Sequence, residues 1–178
     1  MVANKESPWV ASSSMFSSRS ELLAFLEASR LPNHVLGKTA EAPREFFCIE
    51  VRTPDRPIAN VGVVSSGTGI KPSWLFKNGK LLVGFDDRVA VFALDDVRFE
   101  RDVQLLSLFY EFIDIPELHV CVVCETAVLA MLPDGLPIWR ANTDLIADYK
   151  VVGSTMRLEF SDDHPIWLDL ISGKRSDG

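Results

Sequence analysis

The chain is short of positive charge, cysteine, histidine and long apolar runs. Of its 178 residues, 18 are Lys or Arg against 25 Asp or Glu, a formal charge of -7. Phosphate backbones and anionic headgroups both need a cationic surface to displace their counterions, so nucleic acid and membrane surfaces are poor partners for this composition. Three cysteines are an odd count, which argues against a disulfide framework and for a reducing compartment. The most apolar segment, Leu118 to Leu132, contains His119 and Glu125 and falls short of the ~20 residues a spanning helix needs. Met1 to Phe16 lacks the basic start and apolar core of a secretory signal. Cytoplasmic residence is the expectation these absences leave.

What the chain has in quantity is apolar residues, 47%, and they recur in a pattern. Three segments, Lys80 to Asp95, His119 to Asp134 and Ser154 to Ile171, each join an apolar strand, an acidic turn and a second apolar strand. The turns are Asp86-Asp87, Glu125-Thr126 and Asp162-Asp163; the corresponding positions Val89, Val128 and Ile166 stand 39 and 38 residues apart. Self-similarity at that period marks β-propeller blades and related arrays. The first two hairpins are apolar at consecutive positions, as strands buried on both faces are. In the third, Arg157 and Glu159 alternate with Met156, Leu158 and Phe160, so one face is wet and the hairpin belongs at an end of the array.

Upstream, residues 1–17 are Ser-rich and aperiodic and read as a mobile leader on which Trp9 and Phe16 could dock. Ser18-Arg19-Ser20-Glu21 is a capping box that starts an amphipathic helix over 18–30, ended by Pro32. Phe46 to Arg52 and Ile58 to Val64 read as strands around a Pro-rich turn. Asn78-Gly79 suits the two positive φ angles of a type I′ hairpin. Asp102 to Ile113 fits helix or strand by period, and its place between β repeats favours strand. The predicted fold is therefore mainly β: an antiparallel meander of three blade-like hairpins with one N-terminal helix, in a single domain over 18–178.

Leu129 to Arg140, with Asp134-Gly135 and Trp139, and Trp167 to Lys174, with Asp169 and Gly173, resemble the strand, Asp-x-x-Gly turn and Trp pattern of pyrroloquinoline-quinone-type propeller blades. The resemblance covers Trp74 to Lys174. It implies the blade shape alone: a full ring has more blades than the three visible here, so no central channel is implied and no cofactor is carried over. An open array, a four-unit closure using the strands before Trp74, and a two-sheet sandwich all remain compatible with the pattern.

No catalytic constellation stands out. Cys121-Val-Val-Cys124 has redox or zinc spacing, but on a strand residues three apart face opposite ways and no further ligands complete a site. Gly62 to Thr68 imitates a phosphate loop with Thr68 where Lys is required. The three histidines, His34, His119 and His164, stand in no nucleophile motif. Trp74, Trp139 and Trp167 read as core anchors.

The acidic turns carry the one geometric expectation. Hairpins packed in register would line Asp86, Asp87, Glu125, Asp162 and Asp163 along one edge, although Asp also favours turns for its own local hydrogen bonds. That rim suits a basic protein partner, and the functional expectation is a non-enzymatic recognition module, for instance an acidic immunity-type protein that neutralises a basic toxin domain. An enzyme whose site assembles only in three dimensions, and a subunit of a larger β assembly with an open edge, are the competing readings.

Overall fold

A computed structural model describes residues 8–37, 42–161 and 164–176. Along the chain come β1 (Val10–Phe16), α1 (Arg19–Ala28), β2 (Asn33–Leu36), β3 (Glu45–Arg52) and β4 (Pro57–Ser65), which with the helix aside form a first sheet in the order β1-β3-β4-β2. The second sheet is β5 (Ser73–Lys77), β6 (Lys80–Phe85), β7 (Arg88–Ala93) and β8 (Arg98–Gln104). The third is β9 (Phe109–Asp114), β10 (Val120–Cys124), β11 (Ala127–Met131) and β12 (Pro137–Asn142), and the fourth β13 (Ile146–Val152), β14 (Thr155–Phe160), β15 (Ile166–Asp169) and β16 (Arg175–Ser176). The last three sheets are plain antiparallel meanders; the first has one parallel pair, β2 with β4.

The three expected hairpins are β6–β7, β10–β11 and β14–β15. Burial follows the expected alternation and explains it. In β6, Leu81, Val83 and Phe85 pack toward the first sheet while Leu82 turns to the third. In β10, Val120, Val122 and Cys124 face the second sheet, and Cys121 and Val123 face the fourth. A strand between two sheets has no wet face, so every position is apolar. β14 buries Met156 and Leu158 on one side only and presents Arg157 and Glu159 on the other, where they form an ion pair. Among the described residues, three core clusters join first sheet to second, second to third and third to fourth; none joins the fourth to the first.

Four findings correct or refine the sequence reading. The leader is wrong for Val10–Phe16, which is a strand paired along its whole length with β3, Val10 opposite Arg52 and Phe16 opposite Phe46; its serines gave no period, because most of the strand is exposed on both faces. The array has four sheets where three hairpins were legible, since the first is assembled out of chain order around the helix. Asp102 to Ile113 is strand at both ends, divided by the connection 105–108 between β8 of the second sheet and β9 of the third. The helix is shorter than 18–30: Ser18 caps it by accepting from the Glu21 amide, while the Glu21 carboxylate accepts from the Ser17 amide and hydroxyl instead of the cap residue. Those bonds hold the Glu21 carboxyl below its usual range.

α1 covers the outer face of the first sheet. Leu22 and Leu26 pack on Phe46, Cys48 and Val64, which leaves Phe47, Ile49 and Val51 for the second sheet. The Asn78-Gly79 turn has φ of 49° and 72°, as a type I′ hairpin requires. Next to it the buried Lys77 ammonium donates to the Asp114 carboxylate and to the Ile115 carbonyl, 2.6 Å, pinning β5 to the end of β9. A turn-on-strand contact recurs with the sequence period. A Cβ on Gly135 would meet Arg101 Cδ at 2.8 Å, and one on Gly173, 38 residues later, would meet the Trp139 ring at 2.6 Å. The Arg101 guanidinium donates to the Asp134 carbonyl and the Trp139 indole to the Ile171 carbonyl, 3.1 and 3.0 Å. The outermost strands of the second and third sheets are thus clasped by the last turn of the sheet that follows.

Truncating Leu158, wholly buried between the third and fourth sheets, to Ala will cost about 2–5 kcal/mol in equilibrium denaturation, the range for a methylene-rich core side chain that leaves a cavity behind.

Candidate functional site

Backbone hydrogen bonds decide where the acidic turns sit. The connection 105–108, which carries the chain from the second sheet to the third, lies between two of them. On one side the Leu105 and Phe109 amides donate to the carbonyls of Asp87 and Asp86, 2.8 and 2.6 Å. On the other, the Glu125 amide donates to the Leu108 carbonyl at 2.8 Å and the Thr126 amide to the Ser107 hydroxyl at 3.0 Å. The next connection repeats the pattern, with the Thr143 and Ile146 amides donating to the carbonyls of Thr126 and Glu125, both at 2.9 Å. Each β-turn is therefore tied to the chain entering the following sheet.

This stitching brings Asp86, Asp87 and Glu125 around one open cavity of about 450 Å³, with Gly37, Ser66, Phe85, Arg88 and residues 106–108 completing its wall. Three of the five predicted rim residues thus converge. Asp162 and Asp163 lie outside the described residues.

The three carboxylates differ in what holds them. Asp86, at φ 44°, accepts from the Ser65 hydroxyl at 2.6 Å and from the Ser66 amide at 2.9 Å, so it fastens the first sheet to the turn of the second. Asp87 accepts from the Gln104 amide nitrogen at 2.6 Å and has Arg88 at 3.8 Å. Arg88 is itself drawn toward Asp102 at 2.6 Å. Glu125 has no side-chain hydrogen bond or ion pair among the described residues; its charge helps to raise the Tyr110 phenol above the usual range, burial being the larger cause. The cavity carries three carboxylates against one guanidinium that is already paired, which makes it electronegative.

Sequence reasoning missed Gly37, Ser66, Ser107 and Arg88 as wall residues. Arg88 begins β7 beside the turn, and the other three carry no local signal, since they reach the cavity from three separate loops.

A neighbouring cleft of about 380 Å³ is lined by His34, Leu36, Phe85, Arg88, Phe99 and Asp102 between β2 and β8. His34 there stacks edgewise on Phe92 at 5.3 Å. His119 is buried behind the third sheet: its Nε2 lies 2.8 Å from the Leu170 carbonyl, which can only accept, so Nε2 carries the proton. Cys121 shares that carbonyl, its Sγ at 3.6 Å. Neither group bonds the other, and among the described residues no three His, Cys, Asp or Glu side chains gather to hold a metal ion.

The thiols are buried and free. Cys121 and Cys124 face opposite sheets, as their spacing on a strand requires. Burial pushes the Cys121 and Cys124 thiols up to about 12 and that of Cys48 up to about 11; the Lys77 charge opposes the shift at Cys121, and Glu50 adds to it at Cys48.

The fold defines the class: a propeller-type array of four-stranded antiparallel sheets. Comparison with known proteins agrees at the level of the fold. No protein-family model matches the chain, and no curated protein is significantly similar in sequence. Solved structures that resemble it include BamB from Moraxella catarrhalis, at 8% identity and a TM-score of 0.50 over 82% of this chain and 51% of that one. The computationally designed Ika8 protein is 12% identical with a TM-score of 0.51, covering 74% and 44%. Dihydro-heme d1 dehydrogenase NirN is 9% identical with a TM-score of 0.51, covering 74% and 34%. BamB and NirN are β-propeller proteins; this chain spans about half the length of the first and a third of the second.

Two outcomes follow from the geometry. Asp86→Ala, which strands a hydroxyl and an amide, will lower stability by about 1–3 kcal/mol, whereas Glu125→Ala will stay within about 0.5 kcal/mol; paired denaturation curves measure both. For the thiols, an aromatic disulfide reagent near pH 8 will titrate almost none in the folded protein and three after unfolding. Because these acids are held neutral by folding, stability will fall as pH rises from the ordinary thiol range toward about 12.

Proposed function

We propose that the protein is a non-enzymatic recognition module that captures a basic protein partner at the cavity bordered by Asp86, Asp87 and Glu125, with Asp162 and Asp163, which lie outside the described residues, as further members of the acidic set that the sequence predicts. The observation that carries this reading is the convergence of acidic side chains from two sheets on one open cavity, where Glu125 makes no side-chain bond among the described residues. A net charge of -7 adds long-range attraction for a cationic partner. A basic toxin domain, neutralised by an acidic immunity-type protein, is the concrete form of partner.

The finer likeness to pyrroloquinoline-quinone-type blades is supported by the Trp139 indole seated on the Gly173 turn. We extend it to blade packing and to no chemistry.

The experiment is capture from the native host by wild type and by the Asp87→Asn, Glu125→Lys double variant, followed by association kinetics on the captured partner. The double variant will associate at least tenfold more slowly at low ionic strength. Added salt will slow the wild type toward the variant as the Debye length drops to about 8–10 Å. Equal capture by both forms, or a rate indifferent to salt, overturns the reading.

A further inference from the structure

Eight strands lie at sheet edges, and seven of them carry a device that discourages pairing with another chain. β8 presents Arg98, Glu100, Arg101 and Asp102, β12 opens with Pro137, and β13 carries Asp148, Lys150 and a bulge. β2 and β16 are four and two residues long; β5 is five residues and contacts β9, and β9 bears Glu111 and a register shift. Charge, proline, bulges, brevity and cover are the ordinary protections of an open edge. β1 has no charge, proline, bulge or brevity to protect it, and α1 reaches it through Phe25 on Phe16 at its end. It is seven residues long, uncharged, unbulged along β3 and exposed at Val10, Ser12, Ser13, Ser14 and Met15. Beyond β3, no backbone hydrogen bond reaches it among the described residues.

Its sequence also specifies an occupant. Val10-Ala11-Ser12-Ser13-Ser14-Met15-Phe16 reads apolar, apolar, three serines, apolar, apolar, so it is palindromic in polarity about Ser13. We propose that β1 pairs antiparallel with β1 of a second copy of this chain about a two-fold axis through Ser13, joining two first sheets into one of eight strands.

The register follows from the symmetry. Ser13 faces its own counterpart, Ser12 faces Ser14, Ala11 faces Met15 and Val10 faces Phe16. Serine hydroxyls then meet across the strands, and apolar side chains meet at both ends. Met15 and Val10, 67% and 53% exposed in the single chain, gain cover. Phe25 of α1, 40% exposed and 5.2 Å from Phe16, extends the apolar border on the helix side. An isologous contact of this kind closes on itself and does not propagate into a fibre. The proposal uses none of the acidic-cavity residues, so its outcome is separate from that of the recognition reading.

Sedimentation of the full chain at micromolar concentration will give twice the monomer mass of 19.8 kDa. Ser13→Lys, which sets two ammonium groups face to face, will halve that mass while leaving the β-rich circular dichroism spectrum of the folded chain unchanged; its thermal midpoint will no longer depend on protein concentration. Mild oxidation will join Ser13→Cys to its counterpart, because directly opposed residues satisfy disulfide geometry. Met15→Cys, about 13 Å from its own counterpart at four residues' offset, will stay unjoined. A monomeric wild type overturns the proposal, as does a folded Ser13→Lys dimer. Equal cross-linking at positions 13 and 15 also overturns it, and that arm decides the matter should Ser13→Lys fail to fold. A monomer that instead binds a strand of another protein at β1 refutes the second copy as occupant.

Discussion

The structure depends on one recurrent constraint: the backbone entering the third and fourth sheets is hydrogen-bonded to the β-turn of the sheet before it. Two such connections, 105–108 and 143–145, make the same bonds to the turns at Asp86-Asp87 and Glu125-Thr126. Each bond is worth only about 0.5–1.5 kcal/mol, but together they set how far one sheet can rotate over the next. The facing positions of β6 and β10 then meet their neighbours at a fixed height, and the apolar cores fill. At the opposite end of the strands the Arg101 and Trp139 clasps and the Lys77–Asp114 ion pair hold the same spacing. Sheet stacking is therefore fastened at both ends and glued in the middle.

The ends of the array solve a problem the middle does not have. A four-stranded sheet with two apolar faces needs two neighbours, and the first and fourth have one sheet neighbour each. The first sheet puts α1 over its spare face, seating Leu22 and Leu26 on Phe46 and Cys48. The fourth makes its spare face polar: Arg157, opposite Trp167 across the strands, pairs with Glu159. What differs between the two ends also places the one undefended edge, because building β2 and β3 around the helix leaves β1 as a lateral strand of small polar residues.

Function divides along the same lines. Asp86 and Asp87 are largely occupied in holding turns and loops together, through Ser65, Ser66 and Gln104. Glu125 is the carboxylate with charge to spare. The acidic set is thus partly turn chemistry and partly a free electrostatic surface, and in the proposed recognition role only the second part would meet a partner. His119 and the cysteines are separated by burial from that surface, and burial keeps the Cys121 and Cys124 thiols neutral and unreactive.

Much of the β architecture was legible because it is written in local periodicity. The 39- and 38-residue spacing, the Asn78-Gly79 turn and the contrast between two-faced β6 and β10 and one-faced β14 all follow from which side chains can be buried by a pleated strand. By themselves those residues determined three hairpins, their order and which of them is terminal. The first sheet was legible only in β3 and β4, since its other members are separated by a helix and ordered by pairing, and since the three serines of β1 give no alternation when both faces are exposed. The cavity was half legible. Its acidic turns repeat in the sequence, but Gly37, Ser66 and Ser107 reach them from distant loops. Local sequence selects strand, turn and buried face; only tertiary hydrogen bonding decides which turns share a cavity and which edge stays open, because those depend on contacts between residues the period does not relate.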